Sequence, residues 1–122
     1  MPTLELTRDN FESVVTDNPM VIVDFWAPWC GPCRGFAPVF ENASQAHPDV
    51  VFAKVNTDSE QELAGSFNIR SIPTLMVFRE KVILFQQAGA LPAPALEQVL
   101  SQVKALDMAE VRQEIEKRDA TP

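Results

Sequence analysis

The chain has 122 residues, which is enough for one domain with a hydrophobic core of its own. Hydrophobic residues make up 46% of it and charged residues 22%, as in ordinary globular proteins. The net charge of −7 argues against a nucleic-acid partner, because proteins that bind the phosphate backbone gather lysine and arginine on one face.

The first half of the chain alternates strand and helix patterns. A short β-like alternation over residues 3–6 precedes a helical stripe that ends at Asn18–Pro19. The apolar, β-rich run from Met20 to Trp26 predicts a buried strand. A helical pattern follows from Cys30 onward and ends at His47–Pro48.

The second half predicts a strand over residues 50–55, a short helix over 60–67, and strands over 74–78 and 82–85. Only three residues join the last two strands, so they form an antiparallel hairpin. A final helix follows Gly89–Ala90. This order predicts an α/β fold, with a mixed central β-sheet and helices on both faces.

Residues 107–122 are a separate segment. Asp107 and Glu110 fit a capping box, which predicts that a new helix begins there. Its apolar positions are rotated from those of the preceding helix. We therefore predict a domain over residues 1–106 and a C-terminal helical extension over 107–122. The extension is interpreted as a solvated helix, with a docking element or an oligomer contact as alternatives.

The N-terminus lacks the basic start and apolar core of a signal peptide. No apolar run approaches the roughly 18 residues that a membrane span requires. Together with a reducible cysteine pair, these features favour the cytoplasm and no membrane association.

The two cysteines, Cys30 and Cys33, are three residues apart, so a helix would bring them onto one face. A disulfide between them would close a very short loop and add little stability, which favours a redox role over a structural one. Metal binding is the other alternative. Zinc usually takes four ligands, and the only further soft candidate is His47, which we interpret as a surface residue without a catalytic role.

The run from Asp24 to Cys33, DFWAPWCGPC, resembles the active site of the thioredoxin family. The resemblance covers residues 1–106 and includes four further markers: Pro38, Lys54, Ser71–Thr74 and Gly89–Ala90. It implies the thioredoxin fold. Four departures are visible, at Arg34, Gly35, Ser71 and the turn Arg79–Lys81, which lacks the usual glycine.

Cys30 is predicted to be the attacking thiol, because the partial positive charge of a helix N-terminus stabilises a thiolate. It would form a mixed disulfide with the partner, which Cys33 then resolves. Asp24 interrupts an apolar strand, so burial should raise its pKa. The resemblance implies that Asp24 exchanges a proton with Cys33 and pairs with Lys54. The alternatives are an acid facing solvent and a surface lysine.

The resemblance also implies a small apolar docking surface for substrate. In it, Ile72–Pro73 would be a cis-proline turn facing the cysteines, and the backbone of Ile72 would pair with an extended substrate segment. The residues expected on this surface are Trp29, Gly31, Pro32, Ile72, Pro73, Gly89 and Ala90.

The predicted function is protein-disulfide reduction, and the residues between the cysteines, Gly31–Pro32, favour it over oxidation. The resemblance implies no bound cofactor beyond the redox-active disulfide, which a thioredoxin reductase dependent on NADPH and FAD would recharge. The other expected partners are disulfide-containing client proteins, and we expect a monomer. The alternatives are a disulfide oxidase or isomerase, a non-enzymatic binding module, and two chains sharing a metal or cluster.

Overall fold

A computed structural model of the chain describes residues 3–120. It contains five strands and five helices in that range. The strands are β1 (Leu4–Glu5), β2 (Met20–Trp26), β3 (Val51–Asn56), β4 (Thr74–Arg79) and β5 (Val82–Ala88). The helices are α1 (Phe11–Asp17), α2 (Gly31–Ala46), α3 (Gln61–Ser66), α4 (Ala93–Ala105) and α5 (Met108–Ala120).

The strands form one sheet in the order β1-β3-β2-β4-β5, with β2 at its centre. The pairs β1–β3 and β2–β3 are parallel, and β4 runs antiparallel to both β2 and β5. The predicted mixed sheet with a terminal hairpin is therefore confirmed. Because β4 runs against β2, its first residue lies at the edge where β2 ends, and Thr74 pairs with Phe25 there.

Apolar side chains alternate along β2 between two cores, one on each face of the sheet. Ile22 packs with Phe40 of α2 and Leu100 of α4. Val23 belongs to the opposite core, which Val15 of α1 enters. Helices cover both faces, as the strand–helix order predicts.

The β4–β5 turn is formed without glycine. Glu80 and Lys81 both have positive φ, 50° and 70°, which is the left-handed region that L-residues disfavour. Two positive φ angles in a two-residue loop are typical of a hairpin turn that matches the twist of the strands. Because this turn lacks the usual glycine, Glu80 and Lys81 bear the steric cost of a positive φ. Glu80 also forms an ion pair with Arg112 of α5.

The break predicted near Asp107 is confirmed. Asp107 Oδ1 accepts hydrogen bonds from the backbone N–H groups of Ala109 and Glu110, and so caps α5. The Arg79 guanidinium lies at the end of α4 and donates to the carbonyl oxygens of Val103, Lys104 and Leu106 at 2.6–3.2 Å. This side chain satisfies carbonyl groups that the end of a helix leaves unpaired.

The helix α5 is not solvated along its whole length, because Met108 is only 4% exposed.

His47 is more enclosed than the surface residue that the sequence predicted, with 17% of its side chain exposed. Its Nε2 lies 2.8 Å from Glu97 Oε2, and its Nδ1 lies 2.9 Å from Lys104 Nζ. His47 thus joins the end of α2 to α4 and lies in the loop after α2, at the opposite end of that helix from the cysteines.

Candidate active site

The cysteines lie where the central strand passes into the longest helix. Cys30 is the N-cap of α2, its backbone being extended (φ −84°, ψ 113°), and Pro32 occupies the first turn. Proline fits there because the first turn needs no backbone N–H donor. Cys33 follows one turn into the helix, and the Cα atoms of the pair are 5.2 Å apart.

Cys30 and Cys33 form a disulfide and are 4% and 2% exposed. The Cys30 sulfur accepts a hydrogen bond from the backbone N–H of Cys33 at 3.2 Å. A donor held in this position, at the positive end of a helix, would also stabilise a negative charge on that sulfur.

The loop before β4 faces this sulfur. The Ile72–Pro73 peptide bond is cis, and the carbonyl oxygen of Ile72 lies 3.7 Å from Cys30 Sγ. The backbone N–H of Gly89 donates to the carbonyl of Pro73 at 2.8 Å. Gly89 has a φ of 104°, which only glycine adopts readily. The predicted residues Cys30, Ile72, Pro73 and Gly89 are therefore brought together.

The remaining residues of the predicted surface are exposed around the disulfide. Trp29 is 67% exposed, and Gly31, Pro32 and Ala90 are exposed as well. The indole Nε1 of Trp29 donates to both carboxylate oxygens of Asp58 at 3.1 Å, so the ring is held in place.

Asp24 lies in β2 at 1% exposure, which rules out the alternative of an acid facing solvent. Burial raises the pKa of its carboxyl from 3.8 to about 7, and the nearby charge of Lys54 opposes that rise. Neither carboxylate oxygen has a hydrogen-bond partner among the described residues. Side chains alternate along a strand, so Asp24 faces the same side as Ile22, the side that α2 covers.

Lys54 is paired in register with Asp24 on the neighbouring strand β3. Its ammonium lies 4.6 Å from the centre of the Trp26 ring, in a cation–π contact. It makes no salt bridge with Asp24 within 4.0 Å in the described part of the chain. Lys54 therefore acts on Asp24 through its charge rather than through direct contact.

A groove opens beside the disulfide, with a volume of about 310 Å³. Trp29 lines it together with Arg70 and Ile72, which belong to the loop before β4. Sequence reasoning missed two residues here, Asp58 and Arg70. A signal for Asp58 existed: β2 and β3 are parallel, so the turn after β3 must lie at the sheet edge that carries the cysteines.

Within residues 3–120, no group of three or more histidine, cysteine, aspartate or glutamate side chains is arranged to hold a metal ion. None of the helices in that range has the length and hydropathy needed to cross a lipid bilayer.

Comparison with known sequences places this site in a well-populated group. The family model described as Thioredoxin matches residues 2–102. The chain is 54% identical over 118 residues to "Putative thioredoxin 2" of Streptomyces coelicolor, covering 97% of this chain and 88% of the relative. It is 44% identical over 102 residues to a thioredoxin of Alicyclobacillus acidocaldarius, covering 83% of this chain and 97% of the relative.

Solved structures give the same result. A thioredoxin of Plasmodium falciparum superposes with a TM-score of 0.77 at 36% identity, covering 82% of this chain and 98% of the other. A mutant thioredoxin from Halobacterium salinarum gives a TM-score of 0.79 at 30% identity, covering 86% and 93%. The Streptomyces alignment leaves out at most four of the 122 residues here, so it includes nearly all of α5.

Proposed function

The chain belongs to the thioredoxin family and is a protein-disulfide reductase, and on that premise we propose how its residues divide the reaction. In the reduced protein, the Cys30 thiolate attacks one sulfur of a client disulfide. The client S–S bond breaks, a mixed disulfide with Cys30 forms, and the first client sulfur leaves as a thiolate. The observation that supports this assignment is the position of Cys30. It is the N-cap of α2, and its Sγ lies 3.7 Å from the carbonyl oxygen of Ile72.

Cys33 completes the exchange. Its thiol loses a proton and attacks the Cys30 sulfur, which forms the Cys30–Cys33 disulfide and releases the second client thiolate. Two electrons have then passed from the protein to the client. Cys33 is only 2% exposed, so bulk solvent does not readily take its proton.

Asp24 is proposed as the acceptor of that proton, directly or through a water molecule. It faces the side of the sheet that α2 covers, and its pKa of about 7 lets it hold or release a proton near neutral pH. Lys54 favours the charged form of Asp24 through its own charge. The proposed role of Lys54 is therefore to lower the pKa of Asp24 from the value that burial alone would give, and not to contact the reacting sulfurs.

The client is proposed to bind as an extended segment against the backbone of Ile72, in the manner of an added strand. Trp29, Gly31, Pro32, Gly89 and Ala90 would surround that segment. Pairing through backbone groups does not depend on the client's sequence, which suits a reductase that serves many proteins.

The family implies disulfide-containing substrates and a thioredoxin reductase in general. For this chain we propose that a reductase dependent on NADPH and FAD reduces the disulfide again after each cycle. We also propose that the protein acts as a monomer and is located in the cytoplasm. Finally, we propose that residues 1–106 form the catalytic domain and that 107–122 are an accessory extension, whose last two residues lie outside the described part of the chain.

Reduction of insulin disulfides by the reduced protein tests these assignments. We expect Cys30→Ser to abolish reduction, and Cys33→Ser to accumulate a mixed disulfide with the client.

The alternative functions have tests of their own. A redox titration against glutathione tests the direction of electron transfer, since a strongly oxidising potential would favour the oxidase or isomerase. Removing residues 107–122 tests the binding module: unchanged kinetics with a lost complex would support it. A metal assay on anaerobically purified protein tests the shared cluster.

A further inference from the structure

The groove beside the disulfide continues past Arg70 into a second cavity. The first, of about 310 Å³, extends from Trp29 and Ile72 to Arg70. The second, of about 490 Å³, also touches Arg70 and continues toward Gln86 and Gln87 of β5. Arg70 therefore lines both cavities, and it lies two residues before Ile72, whose carbonyl oxygen faces Cys30 Sγ.

Arg70 is exposed and has no carboxylate partner within 4.0 Å among the described residues. Three other basic side chains that could draw an acidic client are already paired: Arg8 with Glu62, Lys104 with Asp49 and Arg112 with Glu80. Two guanidinium groups near the disulfide lack a carboxylate partner among the described residues: that of Arg70, in the groove, and that of Arg34, which donates to the carbonyl oxygen of Pro28.

We propose that Arg70 is a specificity-determining residue, which favours clients with an aspartate or glutamate close to the cysteine that Cys30 attacks. The proposal rests on the proposed reductase function. A client segment that pairs with the backbone of Ile72 advances about 3.3 Å per residue, so a side chain two residues from the attacked cysteine lies about 7 Å along the groove. Guanidinium and carboxylate can then form a two-point, charge-assisted contact.

The loop that carries Arg70 is held in place. The hydroxyl of Thr74 donates to the carbonyl oxygen of Ser71 at 2.7 Å, which fixes the turn between Arg70 and β4. The hydrogen bond anchors Ser71, the residue after Arg70, to β4, which limits the part of the client that the Arg70 side chain can reach. This geometry favours selection at one or two client positions over a general attraction for acidic proteins.

Three disulfide-linked model peptides test the proposal. They are identical except for glutamate, glutamine or lysine two residues from the cysteine. Protein reduced beforehand with dithiothreitol is mixed with each peptide, and the rate is followed by tryptophan fluorescence, so no reductase is needed. An exposed ion pair is worth a factor of about two to five, so we expect the glutamate peptide to react that much faster than the glutamine peptide.

In Arg70→Gln this preference should disappear, so that the glutamate and glutamine peptides react at equal rates. The preference should also shrink at about 1 M salt, where charges are screened beyond roughly 3 Å. Arg118→Gln is the matched control, because it removes the same charge from an exposed position of α5. It should leave the preference intact.

Three outcomes would overturn the assignment: equal rates for all peptides with the natural protein, a preference that survives Arg70→Gln, or a preference that disappears in Arg34→Gln instead. Arg34 is the informative comparison because it lies within the active-site helix, with its guanidinium donating to the carbonyl of Pro28. A reduced protein that fails to reduce even the glutamine peptide would instead contradict the proposed function itself.

Discussion

The ammonium of Lys54 lies over the ring of Trp26, although its Cα is paired in register with that of Asp24. Both Trp26 and Asp24 lie on β2 two residues apart, so their side chains face the same side of the sheet. The lysine thus places its charge near the buried carboxyl without hydrogen bonding to it. As a result, burial remains the stronger influence on the pKa of Asp24, which is raised to about 7.

The raised pKa of Asp24 predicts that the protein loses stability as pH rises. The unfolded chain releases this proton near pH 3.8 and the folded chain near pH 7, so the folded state binds more protons between these values. The free energy of unfolding should therefore fall between pH 4 and pH 7. At about 1.4 kcal/mol per pH unit, the loss from this group approaches about 4 kcal/mol.

Asp24→Asn should remove that loss, because the amide does not ionise. Urea unfolding of the oxidised protein at pH 4 to 8 measures it, with Asp17→Asn as the control for an exposed carboxyl. A free energy of unfolding that falls with pH equally in the natural protein and in Asp24→Asn would contradict the assignment.

Lys54→Gln should raise the pKa of Asp24 further. The substitution removes a positive charge that favours the carboxylate while leaving the burial of Asp24 unchanged. Titration of the Asp24 carboxyl carbon by NMR in the oxidised protein gives the value directly. Lys81→Gln, at the opposite end of the sheet, should have no such effect. A pKa that stayed the same or fell in Lys54→Gln would show that the lysine charge does not reach Asp24.

Much of the fold and of the site was predictable because local patterns carry it. A continuous, β-rich apolar run predicts a strand buried on both faces, and burial of the acid within it follows from that prediction, as the structure confirms for Asp24. The helix start at Cys30 and the new helix at Asp107 follow from the residues that occupy the first turns. The start of each helix depends on residues that are adjacent in the sequence, so a local sequence pattern is enough to predict it.

The contacts that sequence reasoning missed join residues far apart in the chain. Asp58 holds the Trp29 indole, and Arg79 caps the end of α4, but neither partnership leaves a trace in local periodicity. The position of the Lys54 ammonium was also not predictable, since a flexible side chain can reach either the carboxyl or the ring. Such choices are decided by the packing of neighbouring strands and helices.

Lys81→Gly should stabilise the protein by about 0.5–1 kcal/mol. At a φ of 70°, Lys81 bears a steric cost that glycine lacks, partly offset by the greater freedom of glycine in the unfolded chain. The free energy of unfolding from urea denaturation measures the gain. Lys81→Ala is the matched control: it removes the same side chain but keeps the Cβ, so it should give no gain. Equal gains in both variants would locate the effect in the lost charge rather than in the backbone.

Met108→Ala should destabilise the protein without changing its reductase kinetics. The side chain is 4% exposed, so its truncation leaves a cavity where α5 meets the domain, at a cost of about 2 kcal/mol or more. Ile115→Ala, on the same helix at 36% exposure, should cost less than about 1 kcal/mol. Since α5 contacts the β4–β5 turn, at the end of the sheet opposite the cysteines, kcat/KM for insulin reduction should be equal in both variants. A kcat/KM lowered by Met108→Ala alone, measured where both variants are fully folded, would show that α5 takes part in the reaction.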